Sequence, residues 1–175
     1  MTRYRMPRWI LLLVTSTLAM SLGMLQVGAQ SSTPEATPEQ ATVVRDVLAD
    51  GNPEAAPGEL LELVQYTIPG NITLPVHVHP GMQVSTIVSG VLLYTVVEGE
   101  AYLTRAGSDT PEVLTPESGE TAIEPGDMLV EPEGMVHFGR NGQAEPIVLL
   151  TASLFEDDQP PSTVVEATPA ATPAA

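Results

Sequence analysis

The sequence contains no cysteine and no lysine. Without cysteine there is no disulfide framework, no thiolate metal site, no cysteine nucleophile and no lipid-modified N-terminal Cys. Without lysine, six arginines face 22 acidic residues. Three of the six, Arg3, Arg5 and Arg8, precede the first apolar stretch, so a chain cleaved after Ala29 would carry a net charge of −19. A surface of that sign repels phosphate backbones and anionic lipid, which excludes nucleic acid as a partner. Aromatic residues are scarce as well. Beyond residue 29 there are only Tyr66, Tyr94, Tyr102, Phe138 and Phe155, too few for a platform that stacks bases or sugars. Sustained 3.6-residue periodicity is the last absence: Pro and Gly cut the chain into short apolar runs, and no sizeable helix is expected.

The N-terminus is basic over residues 1–8, largely apolar over 9–24, and reaches small residues at Val27-Gly28-Ala29. This is the order of a secretory signal peptide, and it predicts export with cleavage after Ala29. An uncleaved segment would instead act as a membrane anchor, since 18 residues is close to the minimum for spanning. Either way the remainder lies outside the cytoplasm. Residues 30–42 and 156–175 are Thr/Pro/Ala/Glu-rich, without apolar periodicity, and read as a disordered linker and a disordered tail. Residues 43–155 are left for one domain, long enough to bury roughly two-thirds of its unfolded surface.

Within it, strands are expected at 60–68, 73–79, 84–88, 91–97, 101–104, 121–123, 128–130, 136–138 and 147–155. Many short strands with Gly/Pro turns point to an all-β antiparallel sandwich or barrel. Residues 43–48 suit one helical turn or an edge strand equally. Two runs, VLLYTVV at 91–97 and IVLL at 147–150, are apolar on both faces. One face fills the interior, and the other calls for a cover, either a second protomer in a homodimer or a loop.

The chain has three histidines. His77 and His79 are spaced i, i+2 in VHVHP, which on a strand puts both imidazoles on one face. Gln83 keeps the same parity if the strand resumes after Pro80-Gly81. His137 lies in a second Pro/Gly-flanked run, GMVHF, which antiparallel pairing can bring alongside. Three neutral imidazoles with an oxygen donor on a rigid sheet suit one divalent Fe, Mn, Ni, Cu or Zn ion. On spacing alone, a solvated His-x-His serves the sequence equally well.

The flanks carry more. One segment reads Gly70, six residues, His77-Val78-His79, three residues, Gln83, six residues, Gly90. The other reads Gly126, five residues, Pro132-Glu133-Gly134, two residues, His137, three residues, Asn141. Together these closely resemble the paired motifs of the cupin superfamily, G-x(5)-H-x-H-x(3,4)-E-x(6)-G and G-x(5)-P-x-G-x(2)-H-x(3)-N. The second matches at every fixed position. The first has one extra residue before His77, and Gln83 stands where the family usually has Glu. The resemblance spans residues 60–155 and implies a jelly-roll β-barrel with the metal inside, held by His77, His79 and His137 with Gln83 in fourth place. Gly70, Gly90, Gly126, Gly134, Pro132 and Asn141 would serve turn geometry.

A glutamine oxygen brings no charge to the ion, so a three-His, one-Gln set leaves a divalent cation with its full +2. Weaker affinity than in a Glu-containing relative is expected, unless the amide stays out of the site or the metal has been lost. No competing constellation exists: Ser85, Thr86 and Ser89 have no histidine left over as a base. Arg105 and Arg140 are expected in surface ion pairs, and Tyr94 and Tyr102 in packing. Glu98, Glu131 and Glu133 are expected to be solvated, with a proton-carrying role only for one that leans into the barrel mouth. The sequon Asn71-Ile72-Thr73 lies inside the first motif and is accidental. The resulting expectation is an exported monocupin with one divalent transition metal, acting by dioxygenation, decarboxylation or isomerisation on a small oxygenated molecule. A non-catalytic metal- or small-ligand-binding module at the cell surface and a structural domain with a vestigial site are the alternatives, because one scaffold carries many chemistries.

Overall fold

Runs of four to ten residues between Pro and Gly turns leave the backbone one economical way to satisfy its hydrogen bonds, which is antiparallel pairing. A computed structural model describes residues 42–166. The early strands are β1 (Val44–Gly51), β2 (Glu59–Ile68), β3 (Ile72–Thr73), β4 (His77–Val78) and β5 (Gly81–Ser89). Next come β6 (Leu92–Glu98), β7 (Ala101–Thr104), β8 (Glu112–Leu114) and β9 (Thr121–Ile123). The last are β10 (Met128–Glu131), β11 (Val136–Asn141), β12 (Ile147–Glu156) and β13 (Thr163–Val164). A short 3₁₀ turn, Pro116–Ser118, is the sole helical element among the described residues.

Two sheets result. One has the order β1-β2-β12-β5-β10-β7-β8, the other β13-β4-β11-β6-β9 with β3 also paired to β11. All pairings are antiparallel, as the turn pattern predicts for a β-barrel of the jelly-roll type. Inward side chains alternate along each strand, and the interior is graded from one end to the other. Ile68, Ile87, Leu103, Ile123, Leu129 and Ile147 pack an apolar core with Leu92 and Tyr94. At the other end the inner faces turn polar. In register across four strands lie Glu62, Ser153, Gln83 and Glu131. A neighbouring row places Thr151 opposite Ser85, with their hydroxyls 2.9 Å apart. Buried polar side chains gathered on one side of a barrel need partners, and this is where the histidines are found.

Several boundaries differ from the sequence expectation. Residues 43–48 resolve as the start of edge strand β1, with Arg45 aligned to Tyr66. The expected strand 73–79 splits into β3 and β4 because Pro75 has no N–H to donate to a ladder. β8 was not anticipated; its three residues offer one apolar pair between prolines. The expected tail is folded at its start: Glu156 closes β12, and β13 pairs with β4, with Val165 N donating to Val76 O at 2.9 Å. The β-branched residues of Thr163-Val164 supply the strand tendency that the surrounding Pro/Ala/Glu composition hides. The signal segment 1–29, most of the linker 30–42 and residues 167–175 of the tail lie outside the described residues.

Glycine is required at two close backbone approaches. At Gly70 an added Cβ would lie 2.0 Å from the Ala144 carbonyl oxygen, and at Gly81 2.1 Å from that of Leu154. Gly90, Gly126 and Gly134 take positive φ, as turn positions do.

Candidate metal centre

His77 opens β4, His79 follows its end, and His137 sits on β11 directly opposite His77 in the ladder. The i, i+2 parity sends the first two rings into the barrel, and register brings the third beside them. Ring centroids are 4.9 Å apart for His77–His79, 4.3 Å for His77–His137 and 5.2 Å for His79–His137. One nitrogen from each ring lies within 4.8 Å of the others.

Two rings have fixed tautomers. His77 Nδ1 lies 2.8 Å from Pro75 O, and His79 Nδ1 lies 2.6 Å from Pro161 O. A carbonyl only accepts, so each Nδ1 carries the proton and each Nε2 is left as a lone-pair donor. That is how ligating imidazoles are oriented in metal sites. The Pro161 carbonyl comes from the segment expected to be tail, so that segment completes the site. Phe155 stacks on the His79 ring at 5.6 Å and limits its rotation. His137 differs: its Nε2 lies 3.2 Å from Glu131 Oε1, while its buried Nδ1 has no partner, the one such side-chain atom among the described residues.

Burial sets the charge state. It pushes His79 down to about 4, against the opposing pull of the Glu131 carboxylate and the Pro161 carbonyl. It pushes His137 down to about 3, and the neighbouring His77 adds to the effect. Both rings are therefore neutral at pH 7, the form that ligates, and the His137–Glu131 contact is no ion pair. Burial, with Glu131 beside it, raises the Tyr94 phenol far above its usual value, so Tyr94 remains protonated; its hydroxyl points to Met135 Sδ at 3.6 Å.

Gln83 is 4% exposed and lies in the cavity wall, and its Nε2 donates to Glu131 Oε2 at 3.1 Å. Because a carboxylate accepts, the amide nitrogen faces Glu131 and the amide oxygen is the atom left for other use. Glu131 itself corrects the sequence expectation. It is 6% exposed rather than solvated, whereas Glu98 and Glu133 are exposed. The available signal was parity: Glu131 is two residues past buried Leu129 on the same strand. Arg140 pairs with exposed Glu120 at the surface, and Arg105 pairs with exposed Glu112 and with Asp127, which is itself buried. Tyr94 is buried in the core, and Tyr102 is on the outer side of β7, bonded to Glu100.

The histidines, Gln83 and Glu131 form the polar part of a cavity of about 330 Å³, completed by apolar side chains such as Ile68, Leu92 and Leu149. Arg45 reaches its wall, but Nη2 is held by Glu62 at 2.5 Å and Nε by the Tyr66 hydroxyl at 3.1 Å. The donor set fits a borderline transition metal: three imidazoles, two of them with Nε2 left as a lone pair by carbonyl contacts at Nδ1, and an adjacent carboxylate.

A family model described as Cupin matches residues 61–172. No curated protein matches the chain. Solved structures are similar to the chain at low identity. A cupin superfamily protein from Desulfitobacterium hafniense is 12% identical, covering 68% of this chain and 83% of that one, with a TM-score of 0.45. A protein with a double-stranded β-helix domain from Klebsiella pneumoniae is 19% identical, covering 75% and 90%, with a TM-score of 0.41. A DMSP lyase structure is 14% identical with a TM-score of 0.45, covering 61% of this chain; the match spans only 44% of the lyase chain.

Proposed function

The chain belongs to the cupin family, and from that premise we propose that it is an exported single-domain member holding one divalent transition metal on His77, His79 and His137. A small oxygenated molecule is bound and transformed beside that metal. The observation that carries this reading is the convergence of three imidazoles inside the barrel, two of them with Nε2 left free by carbonyl contacts at Nδ1. When bound, such an ion supplies Lewis acidity and an open position for an oxygen donor.

The protein's own groups define what else the site does. A cavity near 330 Å³ is at the small end of ligand pockets, so the substrate is small. Apolar walls accept a hydrocarbon body, and the polar end receives its oxygen. Glu131 is the carboxylate that faces this polar end. Arg45 is neutralised by Glu62, so an anionic group on the substrate has no free arginine to bind among the described residues that line the cavity. Dioxygenation, decarboxylation and isomerisation are the reaction classes that suit this inventory.

Export rests on the order of residues 1–29, and protein recovered outside the cytoplasm should begin at Gln30 by mass spectrometry. The activity is tested by oxygen uptake and product analysis with a panel of diols, phenols and oxo-acids. Turnover that disappears in His77→Ala/His79→Ala supports the reading. Metal content without turnover on any member of the panel would reduce the protein to a binding module.

A further inference from the structure

We propose that Glu131 is the anionic donor of the metal centre, and that Gln83 positions it. The inference rests on the metal-binding reading above and assigns the part of the site left open there.

Gln83 on β5 and Glu131 on β10 are direct partners in the ladder, both facing inward. The two oxygens of Glu131 are used differently. Oε2 accepts from Gln83 Nε2 at 3.1 Å, which orients the carboxylate, and Oε1 lies 3.2 Å from His137 Nε2. Ligand bonds of about 2.1 Å meeting at 90–109° put two neighbouring donor atoms about 3.0–3.4 Å apart. The His137–Glu131 spacing is thus that of two ligands of one ion. Glu131 contacts His137 among the three rings, so it occupies one side of the group.

Charge supplies the second argument. A buried carboxylate without a cation is costly. The chain has no lysine, Arg45 is bound to Glu62, Arg105 to Glu112 and Asp127, and Arg140 to Glu120. No arginine among the described residues pairs with Glu131, and a divalent ion beside it would. The carboxylate missing at position 83 is thereby provided by the adjacent strand, and the bound ion would carry a formal +1 with its protein ligands instead of +2.

The test uses Co2+ as the probe on the full-length exported protein after chelation, with affinity and the visible d–d spectrum as readouts. Glu131→Gln keeps the shape and removes the charge; its Co2+ affinity is expected to fall at least about tenfold with a shifted spectrum. Its metal-free form should melt no lower than the parent, because an uncompensated charge has gone. Glu131→Asp withdraws the carboxylate and should change affinity and spectrum in the same direction, so the argument does not hang on one variant. Gln83→Ala should move the spectrum toward that of Glu131→Gln and have no further effect in the Glu131→Gln background, which a merely structural residue would not do. An unchanged affinity and spectrum in Glu131→Gln, with binding abolished by His77→Ala, would overturn this inference and leave the histidine reading intact. A parent protein that takes up no Co2+ would overturn both.

Discussion

Gln83→Glu puts a second carboxylate where an amide now donates to the first. In the metal-free protein the replaced contact is 3.1 Å long and both residues are buried. The variant loses a hydrogen bond to a charged group, about 1.5–3 kcal/mol. It gains a like-charge contact that at this separation is worth about 5 kcal/mol for an effective dielectric constant of about 20. Proton uptake and swinging apart of the side chains relieve much of this, leaving a net loss of about 2–4 kcal/mol. For a folded unit of this size, each kcal/mol moves Tm by about 3–5 °C, so the chelated variant should melt about 10 °C below the parent. A divalent ion reverses the sign, because two anionic oxygens then face a cation. Excess Zn2+ should raise the variant's Tm by more than it raises the parent's. The assay is a thermal melt at pH 7.5, with chelator and then with Zn2+. A chelated variant that melts within about 2 °C of the parent would refute the Gln83–Glu131 contact and the electrostatics built on it.

In chelated protein, His79 and His137 titrate near 4 and 3 when folded and near 6.5 when unfolded. Above pH 6.5 neither state holds the protons; below it the unfolded chain takes up protons that the folded one refuses. Stability should therefore fall by up to about 1.4 kcal/mol per pH unit for each ring, and equal urea midpoints at pH 7 and 5 would contradict this. Asn141 is 1% exposed; its Nδ2 donates to Ile68, Pro69 and Glu145 carbonyls, and its Oδ1 accepts from Gln143 N. Asn141→Ala should cost about 2–4 kcal/mol in urea denaturation, and a loss under about 1 kcal/mol would remove its keystone role. On the outer face, Ala49, Leu63, Ala152, Val84, Val130, Tyr102 and Val113 align in register across all seven strands of one sheet. Covering that row with a second copy predicts a mass by light scattering that doubles with concentration, and a monomer for Val84→Glu; a parent that stays monomeric throughout removes the homodimer.

The fold was legible because Pro and Gly mark nearly every turn and because strand parity is strict. His77 and His79 could be placed on one face by counting residues, and His137 followed from antiparallel pairing. Glu131 was not legible in the same way. A lone glutamate reads as solvated, and only the register that sets it opposite Gln83, beside a neutral His137, makes it part of the site. The β4–β13 pairing was hidden for a different reason. Thr163-Val164 is too short to stand out from the Pro/Ala/Thr composition around it, and its strand exists because β4 offers an open edge. Through that pairing, the Pro161 carbonyl reaches His79 and fixes its tautomer, a contact between residues 82 apart that no local pattern announces.

The central claim is that His77, His79 and His137 hold a single ion within the barrel. Elemental analysis of protein purified from its own compartment tests it most directly, with His77→Ala/His79→Ala as the paired control. About one Fe, Mn, Ni, Cu or Zn per chain is expected in the parent and essentially none in the variant, whose β-type circular dichroism is retained. Folded parent protein without stoichiometric metal, or a variant that keeps it, would contradict the account.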